Sequence, residues 1–226
     1  EIRFAFDNGG PLRAQTGLFV FDEKVSITSK SFDTLAPGRP VNGIATRENQ
    51  TDSTGIFASL AYDVSDRLTL SGGARWTDES KDFVVERTLG PFGSGTFGPV
   101  SGSVSDDQVS WDVSATYQAT EEVNVYARVA KGFRGPSTQG RLVFANDVSS
   151  ADTETVLSYE AGLKSELLDN RVRLNADVFF FEFNDQQLTI VGGLNNTVAL
   201  FNADKSEGYG FEADVEAAPI ENLFLT

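Results

Sequence analysis

The chain has 226 residues, a formal net charge of -15 and an isoelectric point near 4.3. This acidic balance argues against a nucleic-acid partner, because phosphate backbones are bound by basic surfaces. The sequence contains no cysteine and no histidine, which excludes disulfide bonds, the usual Cys–His and Ser–His nucleophiles and ordinary zinc sites. No run approaches the about 18 apolar residues of a transmembrane helix, although a β-barrel crosses a membrane without such a run.

Methionine is also absent, even at position 1, and no signal peptide precedes Glu1. We therefore expect the chain to be an internal part of a longer protein. Hydrophobic residues make up 40% of the sequence, which is typical of a folded domain and too high for a disordered one.

Alternation of apolar and polar residues predicts ten β-strands. In chain order they cover residues 1–6, 12–32, 48–62, 67–88, 107–118, 122–134, 154–166, 171–191, 197–217 and 222 onward. In the clearest strand Val172, Leu174 and Ala176 face one way, whereas Arg173 and Asn175 face the other. Because helix signals are nearly absent, we predict an all-β, antiparallel fold.

Two kinds of connection alternate between these strands. Short turns lie within YDVSDRLTL, YQATEEVNV, ELLDNRVRL and AAPIENLFL, and long connections cover residues 34–46, 89–107, 135–153 and 192–206. Transmembrane β-barrels of the outer-membrane type have short periplasmic turns and long extracellular loops. The alternation favours such a barrel over a soluble sandwich or β-solenoid, whose apolar faces would meet in a core.

Four aromatic residues on the predicted apolar face support the barrel. Tyr62 and Tyr117 precede short turns, whereas Trp76 and Trp111 lie toward the long connections. From Leu68 to Trp76 a tilted strand rises by roughly 20 Å, close to the apolar height of an outer membrane. We therefore predict that Tyr62, Trp76, Trp111 and Tyr117 form lipid-facing girdles.

Several stretches resemble the TonB-dependent outer-membrane receptors. VNVYARVAKGFRGPS at 123–137 is similar to an upward strand of that family that ends in GFR. STGIFASLAYDVSDRLTLSGGARWTDESKDF, ETVLSYEAGLKSELLDNRVRLNADVFFFEFNDQQL and SEGYGFEADVEAAPIENLFLT resemble successive hairpins of the family, and QTGLFVFDE resembles an earlier strand.

This resemblance implies a 22-stranded transmembrane barrel, of which residues 1–226 supply about ten strands, without the plug domain, the TonB box or the C-terminal strand. It implies uptake of a scarce solute, such as a ferric siderophore, across the outer membrane of a Gram-negative bacterium. The implied partners are outer-membrane lipid, a small ferric chelate, and the TonB energy-coupling protein acting through the missing plug. We expect no cofactor and no enzymatic activity.

Two other classes of function stay open at this point. The first is a soluble secreted β-sandwich that acts as an adhesion or carbohydrate-binding module. The second is a passive porin or an outer-membrane enzyme built on a barrel.

Basic and aromatic residues are the candidate ligand contacts. The basic residues that could line a path for an anionic chelate are Arg75, Arg128, Lys131, Arg134, Arg171 and Arg173, and the loop aromatics are Phe92, Phe97 and Phe144. An alternative interpretation is that the basic side chains balance carboxylates on neighbouring strands.

Three further patterns favour structural interpretations. GSGTFG at 93–98 matches GxGxxG but lacks the strand and helix of a dinucleotide-binding unit. The row of Glu212, Asp214 and Glu216 could supply a catalytic carboxylate pair, but it fits the solvated face of a strand better. Calcium could bind at Asp106 and Asp107, or in the loop that carries Asp147, Asp152 and Glu154, but the EF-hand pattern is absent and no metal site is predicted.

Overall fold

The computed structural model describes residues 1–142, 146–192, 197–220 and 222–226. Within these ranges the chain forms twelve β-strands and one 3-10 turn, Pro91–Gly93. The strands are β1 (Ile2–Asp7), β2 (Leu12–Phe32), β3 (Val41–Ser65), β4 (Leu68–Leu89), β5 (Phe97–Gln118), β6 (Val123–Arg134), β7 (Ser137–Gln139), β8 (Ser149–Ala151), β9 (Glu154–Leu167), β10 (Val172–Gly192), β11 (Thr197–Ile220) and β12 (Leu223–Leu225). No helix among the described residues is long and apolar enough to cross a membrane.

Ten strands form one antiparallel sheet in the order β1-β2-β3-β4-β5-β6-β9-β10-β11-β12. The prediction of ten antiparallel strands is therefore confirmed. Strands β7 and β8 pair only with each other in the ladder pattern and lie between β6 and β9 in the chain. Short turns join consecutive sheet strands at one end of the strands, which we call the short-turn edge. Longer segments join them at the opposite end, which we call the long-loop edge.

The strand register sorts the residues onto two faces. On β3, β4 and β5, Ile56 lies beside Trp76, which lies beside Val109. The residues one step along, Phe57 and Arg75, point the other way and lie beside each other. We call the face that carries Ile56, Trp76 and Val109 the apolar face. The face that carries Phe57 and Arg75 is the polar face.

No second layer covers the apolar face in the part of the chain that the structure describes. Ile56 and Val113 are each 52% exposed and Phe211 is 79% exposed. Among the described residues the buried hydrophobic side chains are Ala45, Val85, Leu142 and Ala151. Because a soluble sandwich buries its apolar faces against each other, the sandwich interpretation is wrong.

Several strands are longer than the alternation predicts. β3 begins at Val41 and not at residue 48, and β5 begins at Phe97 and not at residue 107. The predicted long connection 89–107 is thus mostly strand, 34–46 is strand from Val41 onward, 192–206 is strand from Thr197 onward, and 135–153 contains β7 and β8. The backbone ladder continues beyond the apolar band, where both faces meet water and the alternation of residue types is lost.

Candidate functional site

A recess of about 540 Å³ lies on the polar face and is lined from β1–β6 and β9. The side chains that define it include Arg3, Phe57, Arg75, Asp112 and Arg128. These residues alternate with apolar ones along their strands, so the period-2 pattern itself brings them to one wall. The recess combines cations, a carboxylate and an aromatic ring within one surface.

Arg75 is fixed against aromatic rings on that wall. Its guanidinium carbon lies 4.7 Å from the ring centroid of Phe19 and 6.0 Å from that of Phe57. Its Nε donates a hydrogen bond to Thr77 Oγ1 at 3.0 Å. A Cβ at Gly55 would lie 2.7 Å from Arg75 Nη2, so glycine on the neighbouring strand makes room for the side chain. Cation–π contact and a hydrogen bond therefore hold a positive charge at a defined place.

Two other predicted basic residues have carboxylate neighbours. Arg128 Nε lies 3.7 Å from Asp112 Oδ2. Arg173 lies between two carboxylates, with Nη1 3.1 Å from Glu216 Oε2 and Nη2 3.5 Å from Glu166 Oε1. These contacts agree with the charge-balance interpretation for both residues.

Lys131 borders the recess, but the register places its side chain on the apolar face. The register places it beside Trp111 on β5 and Leu157 on β9, in the row that continues Val129. Its side chain therefore belongs to the apolar face. A lysine there can extend its apolar stem along neighbouring side chains and keep its charged end in the polar region at the membrane surface. The alternation, extended by two residues past Val129, is the signal that places Lys131.

The remaining basic candidates lie away from Arg75. Arg134 ends β6 opposite Glu154, at the long-loop edge. Arg171 lies in the turn before β10, where its backbone N–H donates to Leu168 O at 3.2 Å. Arg171 and Arg173 thus lie at the short-turn edge, and the structure does not bring the six basic residues together.

The two described loop aromatics, Phe92 and Phe97, do not form one cluster. Phe92 is 77% exposed at the tip of the β4–β5 connection and has a φ of 52°. Phe97 packs on a small core cluster of Ala45, Val85 and Leu142, so its ring is structural. Phe144 lies outside the described residues.

Three of the candidate metal-site carboxylates have protein partners. Asp106 accepts a hydrogen bond from Gln108, and Asp107 accepts one from the Trp76 indole at 3.1 Å. Glu154 accepts one from the backbone N–H of Gln187 at 2.7 Å. Over the described ranges there is no cluster of three or more acidic residues with the arrangement of a metal site.

The GSGTFG segment joins the Pro91–Gly93 turn to the start of β5. It connects two antiparallel strands and opens no helix. The structural interpretation of this glycine-rich segment therefore holds.

Sequence reasoning missed two buried polar side chains above the recess. Arg87 is fully buried and Gln187 is 7% exposed. Both bind backbone carbonyl groups of the segment between β6 and β9. Their partners are distant in sequence and are set by the fold, so no local pattern could have identified them.

A single antiparallel layer, with an exposed apolar face and a charged opposite face, is the wall of a transmembrane β-barrel. Residues 4–225 match the family described as "TonB dependent receptor-like, beta-barrel". The chain belongs to this family, and it is part of a Gram-negative outer-membrane protein.

Named relatives agree with the family. The chain is 31% identical over 168 residues to the pesticin receptor of Yersinia pestis, a match that covers 73% of this chain and 23% of that receptor. In structure it resembles the ferric yersiniabactin uptake receptor FyuA of Yersinia pestis with a TM-score of 0.78 at 23% identity, covering 97% of this chain and 32% of that one. It resembles the ferric-catecholate import receptor Fiu of Escherichia coli with a TM-score of 0.70 at 20% identity. That match covers 97% of this chain and 34% of Fiu. The chain thus spans about a quarter of the length of the curated relatives it matches.

Proposed function

We propose that the parent protein is an outer-membrane receptor that takes up a ferric siderophore or a similar anionic chelate. The observation that carries the proposal is the family match over residues 4–225. The relatives are named as receptors, and two of the structural relatives are named for ferric yersiniabactin and ferric catecholate. None of these names is that of an enzyme, which supports a segment that performs no bond chemistry.

In this proposal the described strands form part of the barrel wall, and they do not open or close the path of the solute. The apolar face meets lipid, with Tyr62 and Tyr117 toward the periplasm and Trp76 and Trp111 toward the cell surface. Exposures of 45% for Tyr62 and 40% for Trp76 on that face support these roles. The plug that TonB would act on is supplied by another part of the longer protein.

The polar face then lines the lumen, and Arg75 and Arg128 are the proposed contacts for an anionic solute. Arg75 is favoured because the rings of Phe19 and Phe57 flank its guanidinium and hold it in place on the wall of the recess, which the Glu1 carboxylate also lines. Arg134 and the exposed Phe92 lie nearer the cell surface, where a solute would arrive first. Lys131, Arg171 and Arg173 are left out of this path because of their positions.

The test uses the full-length receptor in an iron-starved strain that lacks its own siderophore receptors. Radiolabelled iron is supplied as ferric yersiniabactin, a ferric catecholate or a ferric hydroxamate. We expect uptake of at least one chelate, and loss of that uptake when TonB is deleted. Uptake of none would refute the proposal, and uptake that continues without TonB would indicate a passive porin.

The role of Arg75 is tested in the same assay with Arg75→Gln. Because a charge-assisted hydrogen bond to the solute is lost, we expect uptake at limiting chelate to fall about tenfold. Arg173→Gln is the matched control, since it removes the same charge from an exposed ion pair at the short-turn edge. Equal effects of the two substitutions would exclude Arg75 from the path.

A further inference from the structure

The segment between β6 and β9 lies against the polar face. We name its described parts, residues 135–142 and 146–152, the mouth strap. Arg47 Nη2 on β3 donates to Thr138 O at 2.8 Å, and Lys81 Nζ on β4 donates to Pro136 O at 3.0 Å. Leu142 is 1% exposed and packs with Ala45 and Val85. One side of the mouth strap is thus attached to β3 and β4.

Its other side is attached to β10 and β11. Gln187 Nε2 donates to Gly135 O and to Asp152 O, both at 2.9 Å, and its Oε1 accepts from Ser137 Oγ at 2.5 Å. The backbone N–H of Asp152 donates to Asn202 Oδ1 at 2.8 Å. Because β5, β6 and β9 separate the two attachments in the sheet, the mouth strap crosses the polar face at the long-loop edge.

Arg87 ties the mouth strap to the β4–β5 turn. Its Nη1 donates to Leu142 O at 2.9 Å and its Nη2 to Asn146 Oδ1 at 2.5 Å. Its Nε donates to Gly95 O at 2.9 Å, and Nη2 also reaches Ser94 O at 3.0 Å. One fully buried guanidinium thus holds two connections that are far apart in sequence.

Moving the mouth strap off the wall would break its bonds to Arg87, Gln187, Arg47 and Lys81 together. Arg87 would keep its bonds to Gly95 O and Ser94 O, and water would replace the lost partners. Each broken bond from a charged donor still lowers the population of a detached state by about tenfold. Because several such bonds break at once, the attached state dominates.

From these contacts we infer that the mouth strap is a fixed constriction of the extracellular entrance, and that Arg87 and Gln187 are the positioning residues that hold it against the wall. It does not swing as a lid when solute enters. The inference rests on the proposed function only in that a solute uses this entrance. The fixed attachment itself is a property of the fold.

The first experiment needs no solute and measures amide hydrogen exchange of the full-length receptor in lipid. We expect the peptide that covers residues 146–152 to exchange as slowly as β10, since its attachment opens only rarely. Arg87→Leu and Gln187→Leu should speed this exchange about tenfold or more, because each removes the anchoring donors. Arg39→Leu, in the exposed β2–β3 connection, is the control and should change nothing. Fast exchange in the unsubstituted protein would overturn the inference.

The second experiment locks the mouth strap to the wall. A Cβ at Gly140 would lie 2.8 Å from Val85 Cγ1, and the chain has no native cysteine. Gly140→Cys with Val85→Cys therefore places two sulfur atoms within reach of a disulfide. We expect the oxidised and reduced receptors to take up radiolabelled ferric chelate at the same rate. Uptake that is lost on oxidation and restored by reductant would show a moving lid and overturn the inference.

The two proposals fail in different ways. If the unsubstituted receptor takes up none of the three ferric chelates, the proposed function fails, while hydrogen exchange still decides whether the mouth strap is fixed. If uptake occurs but depends on the redox state of the cysteine pair, only the fixed constriction fails.

Discussion

Asp63 shows how single residues join strands at the short-turn edge. Its two carboxylate oxygens accept from Arg13 Nη1 at 2.6 Å and Nη2 at 2.8 Å, and Oδ1 also accepts from Thr69 Oγ1 at 2.7 Å. One carboxylate therefore links β2, β3 and β4. It lies one residue past Tyr62, outside the apolar band.

The hydrogen bonds from Arg13 and then Thr69 lower the pKa of Asp63 from 3.8 to about 2. A lowered folded-state pKa adds stability that is present above pH 3.8 and is lost as the pH falls through about 2. We therefore expect Asp63→Asn to lower the melting temperature of the full-length receptor in detergent at pH 7 and at pH 5. The difference from the unsubstituted protein should shrink as the pH falls below 3.8 and be small at pH 2, where about half of the folded-state carboxyl is protonated. A difference as large at pH 2 as at pH 7 would show that the carboxylate charge is not its cause.

At the scale of the strand, aromatic rings on the polar face lie over glycines of the neighbouring strand. Phe179, Phe181 and Phe183 form a ladder on β10, with centroids 6.0 Å and 5.5 Å apart. A Cβ at Gly208 would lie 2.2 Å from Phe181 Cζ. The glycine lets the ring lie flat along the wall, which keeps a large side chain out of the lumen.

Gly208→Ala should therefore displace Phe181 and destabilise the full-length receptor by about 1–3 kcal/mol, the usual cost of overpacking. Gly132→Ala is a matched control on the same face, since its Cβ would meet Val156 Cγ1 at an ordinary 3.4 Å. Urea unfolding in lipid vesicles measures both. If the two alanines cost the same, the loss comes from glycine itself and not from the ring.

At the scale of the whole molecule, the two faces meet different solvents. Val113, on the apolar face between the levels of Trp111 and Tyr117, is 52% exposed. Ser71 lies on the polar face at nearly the same level, beside Ala61 and Ser114, because the next residue, Gly72, pairs with Val113. Because lipid lies against the apolar face and water against the polar face, we expect a charged substitution to be costly on the apolar face and tolerated on the polar face.

Val113→Arg is thus expected to cost about 2–4 kcal/mol in the unfolding of the full-length receptor from lipid vesicles, as for arginine at a bilayer midplane. Ser71→Arg should cost far less, because its charge stays hydrated. Loss of assembled receptor from the outer membrane should follow the same order. The reverse order would mean that the faces are assigned the wrong way round.

The strands themselves were predictable, because each needs only its own residues. Alternation placed Ile56 and Trp76 on one face and Arg75 on the other, and the register confirms those faces. The strand ends at the long-loop edge were missed. Beyond the membrane both faces of a strand meet water, so apolar and polar residues no longer alternate there. The face of Lys131 could also be read from the sequence, because its alternation with Val129 places its side chain on the apolar face.

The sequence by itself determined the all-β architecture, the two faces and the family, because period-2 alternation and short local motifs survive in a single chain. Only the tertiary structure decided which polar side chains act together. Arg75 meets Phe19 through two intervening strand pairings, and Arg87 meets Leu142 and Asn146 across more than fifty residues of sequence. These contacts depend on strand register and on how the connections return over the wall, which no local pattern records.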